Sequence, residues 1–380
     1  KRKEIQRSKY GVSENRSKLL PQINAIAGYS NNFDPPVSVT DGSSYGVPYN
    51  ITQTLQHSAN AGLEMQMPLF NQTLYTSMSI AKVMEEISRL SYGKAREDVI
   101  LQISKMYYLG QVTAEQIMLI KANITRLEEL RDITQAFFDN GMSMEVDLKR
   151  VNINLENLKV QYDNAQAMMK QQLNMLKYIM DYPAEKEIAL TPVNTDSITT
   201  VALTGLSENI YELQLSQSQV QLAERQKKII TNGYIPSLSL TGSWRYAAYT
   251  DKGYHWFHSG PSNQWFRSYG VGLTLRIPIF DGLDKTYKIK KAMIDIKNKR
   301  LAWEDARKNL QTQYLNAVND LMNNQRNFKK QKDNYLLAED VYAVTSDRYR
   351  EGIASMTEVL QDEMQMSEAQ NNYISAHYNY

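Results

Sequence analysis

Residues Gly62-Leu63-Glu64-Met65-Gln66-Met67-Pro68-Leu69-Phe70-Asn71 recur 210 positions later as Gly272-Leu273-Thr274-Leu275-Arg276-Ile277-Pro278-Ile279-Phe280-Asp281. Up to the proline, apolar side chains alternate in both copies with polar or small ones, which is typical of a strand with one apolar and one polar face. Two other segments repeat at nearly the same offset: Leu20-Pro21-Gln22-Ile23 matches Ile235-Pro236-Ser237-Leu238, and Phe138-Asp139-Asn140-Gly141 matches Tyr349-Arg350-Glu351-Gly352. The chain therefore consists of two similar halves.

Four segments are predicted to be strands, at about 21–34, 56–69, 235–249 and 265–279. Prolines are expected at the strand boundaries, where a missing N–H is tolerated. Turn-rich loops, at about 34–50 and 250–264, join the two members of each pair. Aromatic side chains crowd the loop ends of these strands, as in the girdle of an outer-membrane barrel; a soluble β-domain with an aromatic rim is the alternative. These aromatic residues are Tyr29, Phe33, Trp244, Tyr246, Tyr249, Tyr254, Trp256, Phe257, Trp265, Phe266 and Tyr269.

Long stretches with few or no glycines and prolines predict helices at about 71–139, 142–182, 206–232, 282–351 and 353–380. Large apolar residues repeat every seven positions within the fourth helix, which is the heptad pattern of a coiled coil. They are Tyr314, Leu321, Phe328, Tyr335, Tyr342 and Tyr349. A grid of the same kind runs from Val99 to Phe138 in the first half. Taken alone, these helices also suit an antiparallel coiled coil in a soluble scaffold.

Composition excludes several classes of function. The chain has 380 residues and no cysteine, so disulfides, thiolate metal sites and a cysteine nucleophile are excluded. With 43 basic and 41 acidic residues and no charge block, nucleic acid is not an expected partner. The sequence contains no apolar run of about 18 residues, so no transmembrane helix is predicted. The charged start from Lys1 to Lys9 does not suit a signal peptide. We find no phosphate-binding loop, no nucleophile–base arrangement and no metal spacing among the histidines, and therefore expect neither an enzyme nor a cofactor.

Four strands cannot close a barrel, and an open sheet edge cannot lie in lipid because its backbone groups would have no partners. We therefore expect oligomerisation. Three copies would supply twelve strands, enough for a closed barrel with a lumen. The polar strand face would line water and the apolar face would meet lipid. The predicted lumen-facing residues are Glu64, Gln66, Arg245 and Arg276.

Several motifs resemble the TolC-like family of outer-membrane efflux proteins. These motifs are Arg16-Ser17-Lys18-Leu19-Leu20-Pro21-Gln22-Ile23, the two Pro-Leu/Ile-Phe-Asn/Asp strand ends, Tyr349-Arg350-Glu351-Gly352-Ile353-Ala354-Ser355 leading to Glu358-Val359-Leu360, and the final Tyr378-Asn379-Tyr380. The resemblance implies an α+β membrane protein: a homotrimer with a twelve-stranded β-barrel, four strands from each protomer, continued by a long α-helical coiled-coil barrel.

The resemblance also implies a function and a location. Such a protein is a passive duct in the outer membrane of a Gram-negative bacterium, extends into the periplasm and contacts outer-membrane lipid. It docks onto a periplasmic adaptor and an inner-membrane pump, here expected to be of the RND type, and exports drugs or other small molecules. The alternatives are the duct of an ATP-driven type I protein secretion system and, in a different class, a soluble coiled-coil scaffold.

The expected organisation follows the repeat. Residues 1–182 form the first structural repeat, with the end of a helix, two strands and two long helices. Residues 183–205 form a connector, and residues 206–380 form the second repeat.

The resemblance places a closing gate at the turns that join the long helices of each half. These tip turns are Asn140-Gly141 and Glu351-Gly352, with glycine in the position of a left-handed helix cap. The positions that match the polar gate restraints of the family are Asp147 and Tyr349. An arginine often lies two residues after the second tip glycine, but this chain has Ala354 there, so its restraint is expected to differ.

Family members also carry two acids, three positions apart, that select cations at the tip. Glu358 matches the first acid, whereas the second position holds Gln361 with Asp362 beside it. Threefold copies of Glu358 and Asp362 would form a negative collar. The alternative is that both are ordinary solvated charges on a helix.

Overall fold

The computed structural model describes residues 1–35, 37–41, 49–53, 55–192, 205, 207, 209–250 and 265–380. Within these ranges the chain forms six helices and six strands, which we number in chain order. They are α1 (Arg2–Ser17), β1 (Gln22–Asn31), β2 (Val37–Asp41), β3 (Tyr49–Gln53), β4 (His57–Phe70), α2 (Gln72–Asp139), α3 (Glu145–Ile179), α4 (Tyr211–Asn232), β5 (Ser237–Thr250), β6 (Trp265–Arg276), α5 (Asp284–Arg350) and α6 (Met356–Asn379).

Two compact units share these elements. The strand-bearing unit comprises residues 1–92 and 209–306, and the helical unit comprises residues 93–208 and 307–380. Each unit takes chain from both sequence repeats, because α2 and α5, with 68 and 67 residues, belong partly to one unit and partly to the other. At about 1.5 Å per residue, each of these helices is roughly 100 Å long.

The main sheet is antiparallel and has the strand order β1-β4-β5-β6. This is the predicted four-stranded sheet, with element ends shifted by a few residues. One boundary was wrong: Pro68 lies inside β4 and does not end it, and the register with β5 becomes irregular between Pro68 and Phe70. A proline lacks the N–H that a regular ladder needs, so a local irregularity is its usual setting within a sheet.

A second correction concerns the loop predicted between the first two strands. Part of it forms the antiparallel hairpin β2–β3, with Val37 opposite Gln53 and Asp41 opposite Tyr49. The alternation of Val37 and Val39 with serine and threonine favours a strand, but the many glycines and prolines nearby conceal that signal. Most of the predicted loop at 250–264 lies outside the described residues, together with Tyr254, Trp256 and Phe257.

Helix packing in the helical unit follows the predicted heptads. Phe328, Tyr335, Tyr342 and Tyr349 of α5 are all buried in one apolar core. On α2 the core contains Ile120, Leu127 and Leu130, whereas the predicted grid members Val99 and Phe138 are exposed. No helix in the described ranges is both long enough and apolar enough to cross a bilayer.

Candidate functional site

The polar face of the main sheet has a continuous surface because residues of one parity meet across the strands. Asn24 lies opposite Glu64, Glu64 opposite Ser243, and Ser243 opposite Gly270. Gly62 is the partner of Arg245, so Glu64 and Arg245 are diagonal neighbours. Their side chains meet: Arg245 Nη2 donates to Glu64 Oε1 at 2.6 Å.

A shallow groove on this face brings three of the four predicted lumen-facing residues together. Glu64, Gln66 and Arg245 all line this groove, which has a volume of about 530 Å³. Most of its other lining residues are glycine, serine or threonine, together with Asn24, Met65 and Val271. Arg276 is not part of the groove; it lies opposite Ser237 on the same face, at the end of the sheet nearest the helices. Small residues leave this face open, with opposite charges side by side.

The other face of the sheet is apolar and uncovered in one copy of the chain. Its rows run straight across the strands, with Leu240 between Met67 and Leu273 and with Trp244 between Leu63 and Tyr269. Val271 is 81% exposed and Leu273 is 66% exposed. A sheet with one open polar face and one exposed apolar face is suited to separate water from lipid.

Each outer strand of the sheet has one edge without a partner. Among the described residues, β1 pairs only with β4, and β6 pairs only with β5. Unpaired strand edges are templates for pairing with another chain.

The two tip turns have the same geometry. Gly141 has a φ of +71° and Gly352 has a φ of +70°, in the left-handed region that favours glycine. After α2, the N–H of Met142 donates to the carbonyl of Phe137 at 2.7 Å. After α5, the N–H of Ile353 donates to the carbonyl of Arg348 at 2.8 Å. Asn140 and Glu351 immediately precede these glycines and are exposed.

A pocket of about 370 Å³ between the tip turns brings Asp147 and Tyr349 together, with the backbone of Gly141 and Gly352 also in its lining. Tyr349 is buried, packs its ring 5.5 Å from that of Phe137, and donates from its hydroxyl to Thr134 Oγ1 at 3.4 Å. The side chain of Asp147 is only 13% exposed and pairs with Arg150 at 3.3 Å. Sequence reasoning missed the methionines Met142 and Met144, which contribute apolar surface to the same pocket.

The two acids of the predicted collar occupy different settings. Glu358 is exposed and closes a capping box at the start of α6: its carboxylate accepts from the Ser355 N–H at 2.8 Å, while Ser355 Oγ accepts from the Glu358 N–H at 3.3 Å. Asp362, one turn further along, is half-buried. Neither residue lines the tip pocket, although Ser355, the capping partner of Glu358, does.

Polar side chains that the sequence reading did not single out connect the helices of the helical unit. Glu115 accepts from the Tyr373 hydroxyl and from His377 Nδ1, both at 2.7 Å. Arg126 donates to Glu339 at 2.6 Å. The signal was present in α6, where a heptad spacing of three and four puts polar residues on the buried side. That side consists of Met356, Val359, Glu363, Met366, Gln370, Tyr373 and His377.

The pKa values of two buried carboxyl groups shift in opposite directions. Burial alone would raise the pKa of Glu115, but the hydrogen bonds from His377 and Tyr373 outweigh it and lower that pKa. Burial raises the pKa of Glu363, which favours its neutral form.

Within the described ranges, no three histidine, aspartate or glutamate side chains cluster as metal ligands. His255 and His258 lie outside those ranges.

Comparison with known proteins agrees with this architecture. The family model described as "Outer membrane efflux protein" matches residues 1–180 and 202–380. Outer membrane protein TolC of Vibrio cholerae is 21% identical over 385 residues, covering 97% of this chain and 81% of that protein. The toluene efflux pump outer membrane protein TtgC of Pseudomonas putida is 24% identical over 365 residues, covering 90% of this chain and 70% of TtgC.

Solved structures show the same fold. The outer-membrane channel OprN matches with a TM-score of 0.77 at 15% identity, covering 99% of this chain and 82% of OprN. CusC, whose structures concern transmembrane channel formation, matches with a TM-score of 0.78 at 16% identity, covering 99% of this chain and 84% of CusC. Because the family model covers nearly the whole sequence and the fold is that of these solved structures, the chain belongs to the outer membrane efflux protein family and is located in the outer membrane of a Gram-negative bacterium.

Proposed function

We propose that three copies of this chain form a passive duct that exports small organic molecules across the outer membrane. The observation that carries this proposal is the sheet itself, since in the described part of the chain β1 and β6 each pair on one edge only, beside an exposed apolar face. In lipid those edges need partners. An eight-stranded barrel from two copies would be filled by its own side chains, whereas twelve strands from three copies leave room for a lumen.

The names of two relatives support the proposed class of cargo. Relatives include a toluene efflux pump outer membrane protein and an antibiotic efflux pump outer membrane protein, both from Pseudomonas putida. Drugs and apolar toxic molecules are therefore the proposed cargo. A passive duct needs an energy source elsewhere, so the proposal includes an inner-membrane pump of the RND type and a periplasmic adaptor, which complete a tripartite system.

The gate is proposed to lie at the tip turns. Asp147 and Tyr349 share a pocket with Gly141 and Gly352, so a change in the angle between the two helix pairs would act on all four residues together. Glu358 and Asp362 would form a separate negative collar on α6. In the strand region, Glu64, Gln66, Arg245 and Arg276 would line the water-filled lumen.

The two repeats are proposed to play equivalent parts in the wall. Residues 1–182 and 206–380 would each contribute two strands of the barrel and a pair of long helices, with 183–205 as the connector. The described start of that connector already contacts α2, since Gln111 Nε2 donates to the Thr191 carbonyl at 2.5 Å.

A pair of neighbouring substitutions tests the sheet assignment. Leu240 lies on the apolar face and Thr241 on the polar face of β5. Leu240→Arg should cost about 2–4 kcal/mol if the residue lies near mid-bilayer, whereas Thr241→Arg should insert normally. The measurements are detergent-dependent extraction, oligomer mass by light scattering, and conductance of the purified protein in planar bilayers.

The expected result is a trimer that needs detergent and conducts, with Leu240→Arg defective and Thr241→Arg inserted. Equal insertion of both variants, or a monomer that remains in buffer without detergent, would contradict the duct.

A further inference from the structure

We propose that the groove between α4 and the first part of α5 binds the headgroup of an anionic phospholipid, in the membrane leaflet where the strands meet the helices. The groove lies within the strand-bearing unit and has a volume of about 610 Å³. The proposal depends on the membrane position of the strands and is independent of the gate.

The groove is strongly basic. Lys227 and Lys228 of α4 and Lys297 of α5 line it, together with Arg300. Among its described lining residues Glu224 is the only acid, and Arg300 already donates to that carboxylate at 2.7 Å. Three ammonium groups therefore remain in excess around a space the size of a headgroup. Lysine ammonium groups are compact point charges that suit phosphate oxygens.

This excess belongs to a wider charge asymmetry that the overall net charge of +2 conceals. The strand-bearing unit has 23 lysines and arginines against 15 aspartates and glutamates, whereas the helical unit has 20 against 26. Basic residues close to an anionic lipid surface are attracted to it over about a Debye length. The excess of basic residues therefore lies in the unit whose strands are proposed to lie in the membrane.

The groove begins close to the end of the sheet. α4 ends at Asn232 and β5 begins at Ser237, so Lys228 is only one helical turn from the helix end. In the same region the Lys285 ammonium lies 5.0 Å from the centre of the Tyr234 ring, and the Lys290 ammonium lies 5.5 Å from the centre of the Tyr287 ring. Tyrosine and lysine together are typical of the lipid headgroup level.

The residues between β6 and α5 extend this pattern with apolar side chains. Ile277, Ile279 and Phe280 are exposed apolar side chains directly after the last strand, and the tyrosines and lysines of α5 follow them. The order apolar, aromatic, basic is the one that a membrane interface selects, because long cationic side chains can extend along apolar surface towards phosphate. Met293 and Ile296 give the groove an apolar floor for the glycerol region of a lipid.

The groove faces away from the surface that the other helices share. A second pocket of this unit is lined by α1, α2, α4 and α5, and it uses residues such as Ala223, Gln226 and Lys299. At 3.6 residues per turn, these lie on the opposite faces of α4 and α5 from Lys228 and Lys297. The groove therefore lies on the side away from the four-helix pocket.

A second copy of the chain does not provide a matching acidic surface. α1 has five basic and two acidic residues, and residues 284–306 of α5 have seven basic and four acidic residues. The first turns of α2, residues 72–92, and α4 are neutral or slightly basic. Contact between these helices in neighbouring copies would add positive charge to positive charge, so an external anion suits the groove better.

The test uses the unaltered, purified oligomer in detergent. Native mass spectrometry and thermal unfolding are recorded with phosphatidylglycerol, with phosphatidylcholine and with inorganic phosphate. Retention of phosphatidylglycerol and an increase in the unfolding temperature with that lipid alone would support the proposal. Equal retention of phosphatidylcholine, or an equal increase with inorganic phosphate, would overturn it.

The variants Lys227→Gln, Lys228→Gln and Lys297→Gln are then combined, with Lys299→Gln on the opposite face as the control. Each ammonium contributes a factor of about five near an anionic surface, so the triple variant should retain phosphatidylglycerol roughly 100-fold less well. The control should retain it normally. Unchanged retention by the triple variant would overturn the proposal. Conductance of the same preparations reports the duct independently, so loss of lipid binding and loss of channel function are distinguishable.

Discussion

The hydroxyl of Tyr373 donates a hydrogen bond of 2.7 Å to the carboxylate of Glu115, although the two residues are 258 positions apart. His377 donates to the other oxygen of the same carboxylate at 2.7 Å. The contact therefore ties α2 of the first repeat to α6 of the second, inside a core that also contains Phe328.

Glu115→Gln should destabilise the helical unit in a pH-dependent way. The folded-state pKa of Glu115 is lowered below its ordinary value of 4.5 by the bonds from His377 and Tyr373, with Lys332 also nearby. The stabilisation is therefore fully present above pH 4.5 and is lost as the pH falls through the folded-state pKa. We expect a loss of about 1–2 kcal/mol near neutral pH, because a charged acceptor is removed from a partly buried network.

Thermal unfolding followed by circular dichroism, at a series of pH values, measures this difference. Glu351→Gln, an exposed change at the tip, serves as the control. A difference between wild type and Glu115→Gln that stays unchanged as the pH is lowered from neutral to well below 4.5 would rule out carboxylate ionisation as its source.

Much of this network could have been predicted, and the reason it was missed is physical. The heptad of large residues on α5 correctly indicates the buried positions from Phe328 to Tyr349, whereas its first two members, Tyr314 and Leu321, are only half-buried and lie outside the core. In α6 the same seven-residue spacing joins Glu363, Gln370 and His377. Because these residues are polar, the pattern predicts that this face of the helix is exposed to solvent. Gln370 and His377 are nevertheless buried, because residues of α2 satisfy them: Asn123 Nδ2 donates to Gln370 Oε1 at 2.5 Å, and His377 Nδ1 donates to Glu115.

The sheet was easier to predict than the tip. Alternation with a period of two fixes which residues share a face, so Glu64, Gln66 and Arg245 were grouped from the sequence alone. At the tip, the glycines predict the turns through their left-handed conformation. The pairing of Tyr349 with Thr134 depends on how two long helices are set against each other, and no local pattern specifies that relation.

The tip glycines should be intolerant of alanine. Gly141 and Gly352 have positive φ values, and a Cβ at either would meet open space, so any cost comes from the backbone alone. We expect Gly141→Ala and Gly352→Ala each to cost about 1–2 kcal/mol. The control is Gly11→Ala in α1, which also has open space but a helical backbone and should gain up to about 1 kcal/mol.

Unfolding temperature, measured on the assembled protein in detergent, reports the sign of each change. If Gly352→Ala were as stable as Gly11→Ala, the left-handed cap after α5 would be excluded as a source of stability.

The pair Arg126–Glu339 should be energetically coupled. Arg126 donates to Glu339 at 2.6 Å and to Asn123 at 2.7 Å, and both members of the ion pair are about one-third exposed or less. Glu339→Gln keeps a hydrogen-bond acceptor but removes the charge, whereas Arg126→Met removes the donor. A double-mutant cycle on unfolding free energy should give a coupling of about 1 kcal/mol, more than a fully exposed pair gives.

The matched control is the cycle for Lys159 and Glu156, an i,i+3 pair on the surface of α3. That cycle should give coupling close to zero, because exposed charges are screened by water and salt. Equal coupling in both cycles would mean that the half-buried position of Arg126 does not strengthen the ion pair.

Neutralising the proposed collar should reduce selectivity for cations, and the structure shows how to do so without unfolding α6. The carboxylate of Glu358 caps the helix through Ser355, so Glu358→Ala would remove a cap as well as a charge. Glu358→Gln preserves a capping-box acceptor, since glutamine serves at this position. Combined with Asp362→Asn, it removes two charges from each copy and leaves the fold intact.

In planar bilayers under a salt gradient, the reversal potential of this double variant should move towards zero, because a ring of negative charge favours cations. Ser355→Ala supplies the complementary control: it should destabilise the start of α6 by about 1 kcal/mol while leaving selectivity unchanged. A reversal potential that shifts in Ser355→Ala but not in the double variant would assign selectivity to helix order and remove the collar, because both acids would then be ordinary solvated charges.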